Sequence, residues 1–177
     1  MAGSRQGIRA EILGSGFVIF VTVGSMLPFN RLIEAMDQWS KQHPDEDVFA
    51  QIGGGSYVPT NMRWERIIEP TGYKAIVESC SLIVAHAGTG SAFTASEFCK
   101  PIVLLPRRAA QKEHTTDHQL DTAKWLEEKT GIFVAWTETD LDDQIARARK
   151  ASEGDRFSIP RYAPESFLAL IKAELKN

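Results

Sequence analysis

The feature that most constrains the fold is a repeated alternation of short apolar runs with segments of helical spacing. The run Phe17–Val23 is β-branched and apolar except for Thr22, which is typical of a parallel strand buried on both faces. Five later runs predict further strands: Val48–Ile52, Arg66–Ile68, Leu82–Ala85, Ile102–Leu105 and Ile132–Ala135. This alternation predicts an α/β fold with a doubly wound, mostly parallel, six-stranded Rossmann-like sheet.

The intervening segments predict helices. The first runs from Phe29 to His43, where apolar residues recur three and four positions apart. The others are expected at Lys74–Ser79, Phe93–Phe98, Thr115–Lys129, Leu141–Lys150 and Pro164–Leu175. A chain of 177 residues has the length of one domain. We therefore expect a leader over residues 1–16, either disordered or derived from cloning, and one α/β domain with C-terminal helices over residues 17–177.

Composition excludes several classes of protein. A net charge of −3 gives no reason to expect nucleic acid as a partner. No apolar run approaches the length of a membrane span. The two cysteines, Cys80 and Cys99, form neither a CxxC motif nor a disulfide framework, so the chain is expected to be reduced and cytoplasmic.

Unusual residues cluster where strands end, which is where open parallel sheets bind ligands. They are Gly24-Ser25, Gly53–Gly55, the loop His86–Ser91 and Arg107-Arg108. Glycines in the His86–Ser91 loop let the backbone approach a ligand, and the helix that follows directs free N–H groups at an anion. One such loop is equally well explained as a tight strand-to-helix turn; the convergence of several favours a binding site.

Two common nucleotide motifs are absent from the sequence. Phe93 stands where a dinucleotide fingerprint needs its third glycine, and the chain has no GxxxxGK[ST] P-loop. His114 and His118 are four positions apart, a spacing that can bind a metal, but no HExxH pattern or cysteine completes a site. We therefore predict no metal and no cofactor.

Several side chains have both a functional and an ordinary interpretation. Arg107 and Arg108 can hold a phosphate or a carboxylate, or form a solvated basic loop. Glu97 can accept hydrogen bonds from a ribose diol, or be a solvated helix glutamate. His118 and Gln119 can hydrogen-bond a polar ligand, or lie on a helix surface.

In combination these residues resemble a known family. Phe20–Ser25, the loop His86–Ser91 with Glu97 and Pro101, and His118-Gln119 with Ala123 look like the C-terminal half of family 28 glycosyltransferases. The resemblance covers roughly residues 17–150 and is closest to the donor-binding subunits of two-part transferases, in dolichol-linked and in bacterial exopolysaccharide assembly. It implies one half of a GT-B architecture.

The resemblance also implies a role for individual residues. Gly24 and Ser25, with His86, Ala87, Gly88, Thr89, Gly90 and Ser91, would line the diphosphate of a UDP-sugar. Pro70 and Thr71 would meet the uracil, Glu97 the ribose, and His118 and Gln119 the sugar. Arg107 and Arg108 suggest an acidic sugar such as glucuronate as an alternative to N-acetylglucosamine. The catalytic base stays unknown, with His86 and His114 as the candidates in this chain.

These implications define an expected function: the donor-binding subunit of an inverting, metal-independent glycosyltransferase. The acceptor would be a lipid-linked saccharide, and a membrane-anchored protein subunit would supply the acceptor domain and recruit the chain to the cytosolic membrane face. The alternatives are a non-catalytic nucleotide-binding module, an NAD-type Rossmann domain, or an interaction domain whose loops are structural.

Overall fold

A computed structural model of the protein describes residues 18–152, which contain six strands and five α-helices. The strands are β1 (Val18–Thr22), β2 (Asp47–Gln51), β3 (Arg63–Glu65), β4 (Leu82–His86), β5 (Ile102–Leu105) and β6 (Ile132–Val134). The helices are α1 (Asn30–Gln42), α2 (Pro70–Ser79), α3 (Thr89–Glu97), α4 (His118–Glu127) and α5 (Leu141–Ser152). The predicted leader and the predicted helix Pro164–Leu175 lie outside the described residues.

The six strands form one sheet in the order β3-β2-β1-β4-β5-β6, and every neighbouring pair is parallel. The prediction of a doubly wound Rossmann-like sheet is therefore confirmed. The chain winds outward from β1 to β3, and then returns to β4 on the other side of β1. This reversal between β1 and β4 is the topological switch point, where such sheets leave a crevice for ligands.

Two apolar cores cover the two faces of the sheet. On β1, Phe20 points to a core that includes α2, α3 and α4, whereas Ile19 and Val21 point to a core that includes α1 and α5. All five residues of β1 are buried, which explains why the strand is a continuous apolar run rather than an alternating one. No helix within residues 18–152 combines the length and apolarity needed to cross a bilayer.

Element boundaries differ from the prediction in four places. β3 lies at Arg63–Glu65, just before the predicted run, because those residues pair with Phe49–Gln51 of β2. α2 begins at Pro70, α3 begins at Thr89, inside the glycine-rich loop, and α4 begins only at His118. Pro70 suits a first helical position because its missing N–H would have no intrahelical partner there.

Candidate functional site

The ends of β1 and β4 meet at the switch point, and glycine makes that approach possible. Gly24 follows β1 with a φ of 76°, and Gly88 follows β4. A Cβ built on Gly24 would lie 2.6 Å from Cε1 of His86, and one on Gly88 would lie closer still to Nε2. The imidazole of His86 therefore fills the space between the two loops, and a side chain at either glycine would displace it.

His86 is neutral at physiological pH in this environment. Burial, and to a lesser extent the positive charge of Arg107, lower the pKa of its imidazole to about 4. Its Nδ1 is buried and has no hydrogen-bond partner among the described residues. A neutral imidazole at the switch point can exchange hydrogen bonds with a ligand, but it brings no fixed positive charge.

The N-terminus of α3 opens beside this imidazole. No side chain caps the helix, and the backbone N–H groups of Thr89, Gly90 and Ser91 have no acceptor among residues 18–152. A Cβ built on Gly90 would meet nothing within 4 Å, so there is free space beside this residue. Free N–H groups at a helix N-terminus, together with the helix dipole, favour a bound anion.

Ser25 and the predicted nucleoside contacts Pro70, Thr71 and Glu97 are all exposed. Ser25 follows Gly24 in the loop between β1 and α1 and is exposed. Pro70 and Thr71 are exposed in the first turn of α2, and Glu97 is exposed at the last position of α3. At 1.5 Å per residue, Glu97 lies about 12 Å along the axis from the start of α3.

Arg107 is placed differently from the expectation that it contacts a ligand. It is 2% exposed, and its guanidinium NH2 donates to the carbonyls of Val23 (2.9 Å) and Leu27 (2.6 Å). Its Cζ lies 5.0 Å from the ring centroid of Phe29. In this structure the guanidinium binds the β1–α1 loop through NH2.

Arg108 and Glu113 connect the β5–α4 loop to its surroundings. Arg108 donates from NH2 to the carbonyl of Trp136 (2.5 Å) and from its backbone N–H to Glu113 (2.9 Å). Glu113 also accepts two hydrogen bonds from the guanidinium of Arg31, of 2.6 and 2.8 Å. Arg31, the first-turn residue of α1 that sequence reasoning missed, thereby ties α1 to the β5–α4 loop.

The one sequence signal that could have singled out Arg31 is its position near the start of a helix. An arginine near a helix N-terminus is unfavourable for the helix dipole, so Arg31 needs a nearby acceptor. Nothing in the sequence says that Glu113, 82 positions later, provides it.

His114 and His118 do not lie on one helix, because α4 begins only at His118. The Nδ1 of His114 accepts a hydrogen bond from the backbone N–H of Thr116 (3.2 Å) in the preceding turn, whereas His118 is exposed at the start of α4. Gln119 is buried, and its side-chain oxygen accepts from the backbone N–H of Arg107 (3.1 Å). Within the described part of the chain, no three His, Cys, Asp or Glu side chains are grouped as metal ligands.

Comparisons with known proteins agree with this geometry. The model of the glycosyltransferase family 28 C-terminal domain matches residues 18–161, which is most of the chain. A search of curated proteins finds no match.

Solved structures share the fold at low sequence identity. The glycosyltransferase of kitacinnamycin superposes with a TM-score of 0.61 at 18% identity, covering 79% of this chain and 37% of that one. MurG from Acinetobacter baumannii gives 0.53 at 16% identity, with coverages of 96% and 53%. UDP-GlcNAc 2-epimerase from Neisseria meningitidis, solved with UDP-GlcNAc bound, gives 0.57 at 11% identity, with coverages of 98% and 48%. The chain thus spans about half the length, or less, of these proteins.

The buried His86 predicts a specific loss of stability in acid. Its pKa is about 4 in the folded chain against an ordinary value of 6.5, so between those pH values the unfolded chain takes up a proton that the folded chain does not. The free energy of unfolding should therefore fall as the pH drops from 6.5 to 4, by up to about 3 kcal/mol from this group. His86→Gln should flatten that part of the profile, measured by urea denaturation.

The matched control is His118→Gln, which removes an exposed histidine. Its profile should keep the slope of the wild type. An unchanged slope in His86→Gln would contradict the assignment of His86 as a buried neutral group.

Proposed function

The chain belongs to the glycosyltransferase family 28 C-terminal domains, and from this premise we propose that it binds a UDP-sugar as the donor-binding subunit of an inverting, metal-independent glycosyltransferase. The observation that carries the proposal is a group of elements at the switch point that is suited to binding an anion, which we call the anion receptor. There the uncapped N-terminus of α3 lies beside the β1–α1 loop, with the His86 imidazole between them. The family and the fold support a sugar transferase, and the receptor supports a donor that carries phosphate.

The receptor has the chemistry that a sugar transfer needs. Breaking the bond between the sugar and its phosphate builds negative charge on UDP as it leaves. The N–H groups of Thr89, Gly90 and Ser91 are held at the uncapped N-terminus of α3, so they would stabilise that charge without reorganising. In an inverting transfer the acceptor hydroxyl attacks the anomeric carbon on the face opposite UDP, and its proton passes to a base.

The base is not His86 in this proposal. An imidazole with a pKa of about 4 is too weak to take a proton from a hydroxyl efficiently at neutral pH. It also lies at the diphosphate end of the site, away from where the acceptor would attack. We propose that the base comes from the acceptor domain of the partner, with His114 as the remaining candidate in this chain.

The nucleoside would extend away from the receptor along α3 and α2. Glu97 would accept hydrogen bonds from the ribose hydroxyls, and the backbone around Pro70 and Thr71 would meet the uracil. His118, exposed at the start of α4, would contact the donor sugar. Gln119 would contact the same sugar through its side-chain amide nitrogen, since its side-chain oxygen is already bonded to the Arg107 backbone.

A non-catalytic nucleotide module would share this receptor, so only transfer activity separates it from the enzyme. An NAD-type Rossmann domain is disfavoured by the place of the glycine-rich loop. Dinucleotide sheets of this strand order carry that loop after β1, whereas here it follows β4 and Phe93 stands at the position of the third glycine.

Binding of the nucleotide tests the proposal directly. By calorimetry, wild type should bind UDP and not NAD. Glu97→Gln should weaken UDP binding about tenfold, the usual scale for a lost hydrogen bond to a carboxylate, and should leave the binding of 2′,3′-dideoxy-UDP unchanged. Glu128→Gln, at an exposed glutamate just after α4, is the matched control and should bind UDP like wild type. Binding of NAD without UDP would overturn the proposal.

We propose a hexose as the donor sugar, and the two arginines bear on which hexose it is. In both, one guanidinium nitrogen is bonded to backbone carbonyls, and these contacts compete with an ion pair to a glucuronate carboxylate. We therefore expect UDP-N-acetylglucosamine to bind at least as tightly as UDP-glucuronate in calorimetry. Tighter binding of UDP-glucuronate that Arg108→Ala abolishes would instead assign Arg108 to an acidic sugar.

The acceptor side is proposed to reside on a membrane-anchored partner subunit, with a lipid-linked saccharide as acceptor at the cytosolic membrane face. The chain spans 37% to 53% of the compared transferases, and supplies one α/β domain within its described residues. Purified chain with labelled UDP-N-acetylglucosamine and a lipid-pyrophosphate saccharide should transfer little label alone. Added membranes from the source cells should restore transfer; efficient transfer without them would exclude a required partner.

A further inference from the structure

One arginine at the end of β5 reaches the loop that follows β1. The two carbonyls bound by Arg107 belong to Val23 and Leu27, and they bracket Gly24, Ser25 and Met26. Because β4 lies between β1 and β5 in the sheet, the side chain must cross the end of β4, where His86 lies. The effect of Arg107 on the pKa of His86 agrees with that course.

The guanidinium of Arg107 has no acidic side chain as an ion-pair partner among the described residues. Within residues 18–152 its Nε is also buried without a hydrogen-bond partner. Glu113 is the carboxylate whose charge reaches it, but Glu113 is itself bonded to Arg31. The face of Phe29 and the two carbonyls give only partial compensation.

Burying a guanidinium this way is unfavourable for stability, since desolvation of an unpaired charge costs several kcal/mol. Burial accordingly lowers the pKa of Arg107. Arg31 shares the ring of Phe29 with Arg107, with its Cζ 5.2 Å from the ring centroid, and Glu113 is the acidic group whose charge reaches both arginines. The positive charge of Arg107, on a side chain that passes the end of β4 to reach the β1–α1 loop, has the sign that favours a bound diphosphate.

We propose that Arg107 is a positioning residue for the donor diphosphate, which acts through the β1–α1 loop rather than by touching the sugar. It fixes the carbonyls on both sides of Ser25, so that the exposed hydroxyl and amides of this loop keep one arrangement toward the anion. Its buried charge then favours the bound diphosphate over the empty site. This inference rests on the proposed function and gives Arg107 an indirect role in its site.

Uridine and UDP separate this role from a purely structural one. A structural brace would change the binding of both ligands by the same factor. A residue that positions the diphosphate loop changes the binding of UDP and leaves uridine, which lacks phosphate, unaffected. The comparison therefore uses both ligands for every variant, measured by calorimetry at the same ionic strength.

Arg107→Met should weaken UDP binding about tenfold or more, the scale of lost charge-assisted interactions, while uridine binding stays within about twofold. Arg107→Lys keeps the charge but loses the planar fork that reaches both carbonyls, and its UDP affinity should fall between those of wild type and Arg107→Met. Arg147→Met removes an arginine from α5, on the face of Phe133, as the charge-matched control. It should bind both ligands like wild type.

Equal loss for UDP and uridine, or no loss for either, would overturn the inference. If thermal unfolding shows that Arg107→Met does not fold, Arg107→Lys decides, with the same requirement that UDP binding weakens and uridine binding does not. If wild type binds uridine and UDP with equal affinity, the role of Arg107 in diphosphate binding is refuted, but binding of the nucleoside by this chain is not. Wild type that binds neither would refute the proposed function and this inference with it.

Discussion

The pairing of β1 with β4 is the constraint on which the site depends. Their parallel register, from Ile19 opposite Leu82 to Thr22 opposite Ala85, brings both strand ends to one place. The chain leaves β1 toward one edge of the sheet and leaves β4 toward the other, so no connection covers the gap. His86 fills part of that gap. Its ring leaves no room for a Cβ at positions 24 and 88, so the structure requires glycine at both.

The charged residues around this gap bind the loops to one another. Arg107 holds the β1–α1 loop, Arg31 holds Glu113, and Glu113 holds the backbone of Arg108. These contacts restrain the two loops on either side of β4 as a connected unit. A restrained receptor loses less conformational entropy when a ligand binds, and its dipoles need little reorganisation as charge develops on a leaving group.

The fold was largely predictable because burial on both faces demands continuous apolar strands, and five of the six predicted runs lie on observed strands. β3 was misplaced because it is an edge strand with exposed residues, so no apolar pattern marks it. α4 was predicted to start too early because Asp117 serves another purpose: its carboxylate accepts from the backbone N–H of Ala109 (2.8 Å). Residues 112–117 form one turn residue followed by bends ahead of α4.

The sequence by itself determined the layered α/β architecture and the clustering of glycine-rich loops at one edge of the sheet, because both follow from local periodicity and strand direction. Only the tertiary structure decided what the polar side chains in those loops do. Arg107 and Arg108 look identical in sequence to ligand-binding arginines. Their partners come from distant parts of the chain and are the carbonyls of Val23, Leu27 and Trp136. Because every residue has a backbone carbonyl, the residue type does not show which carbonyl will accept a hydrogen bond.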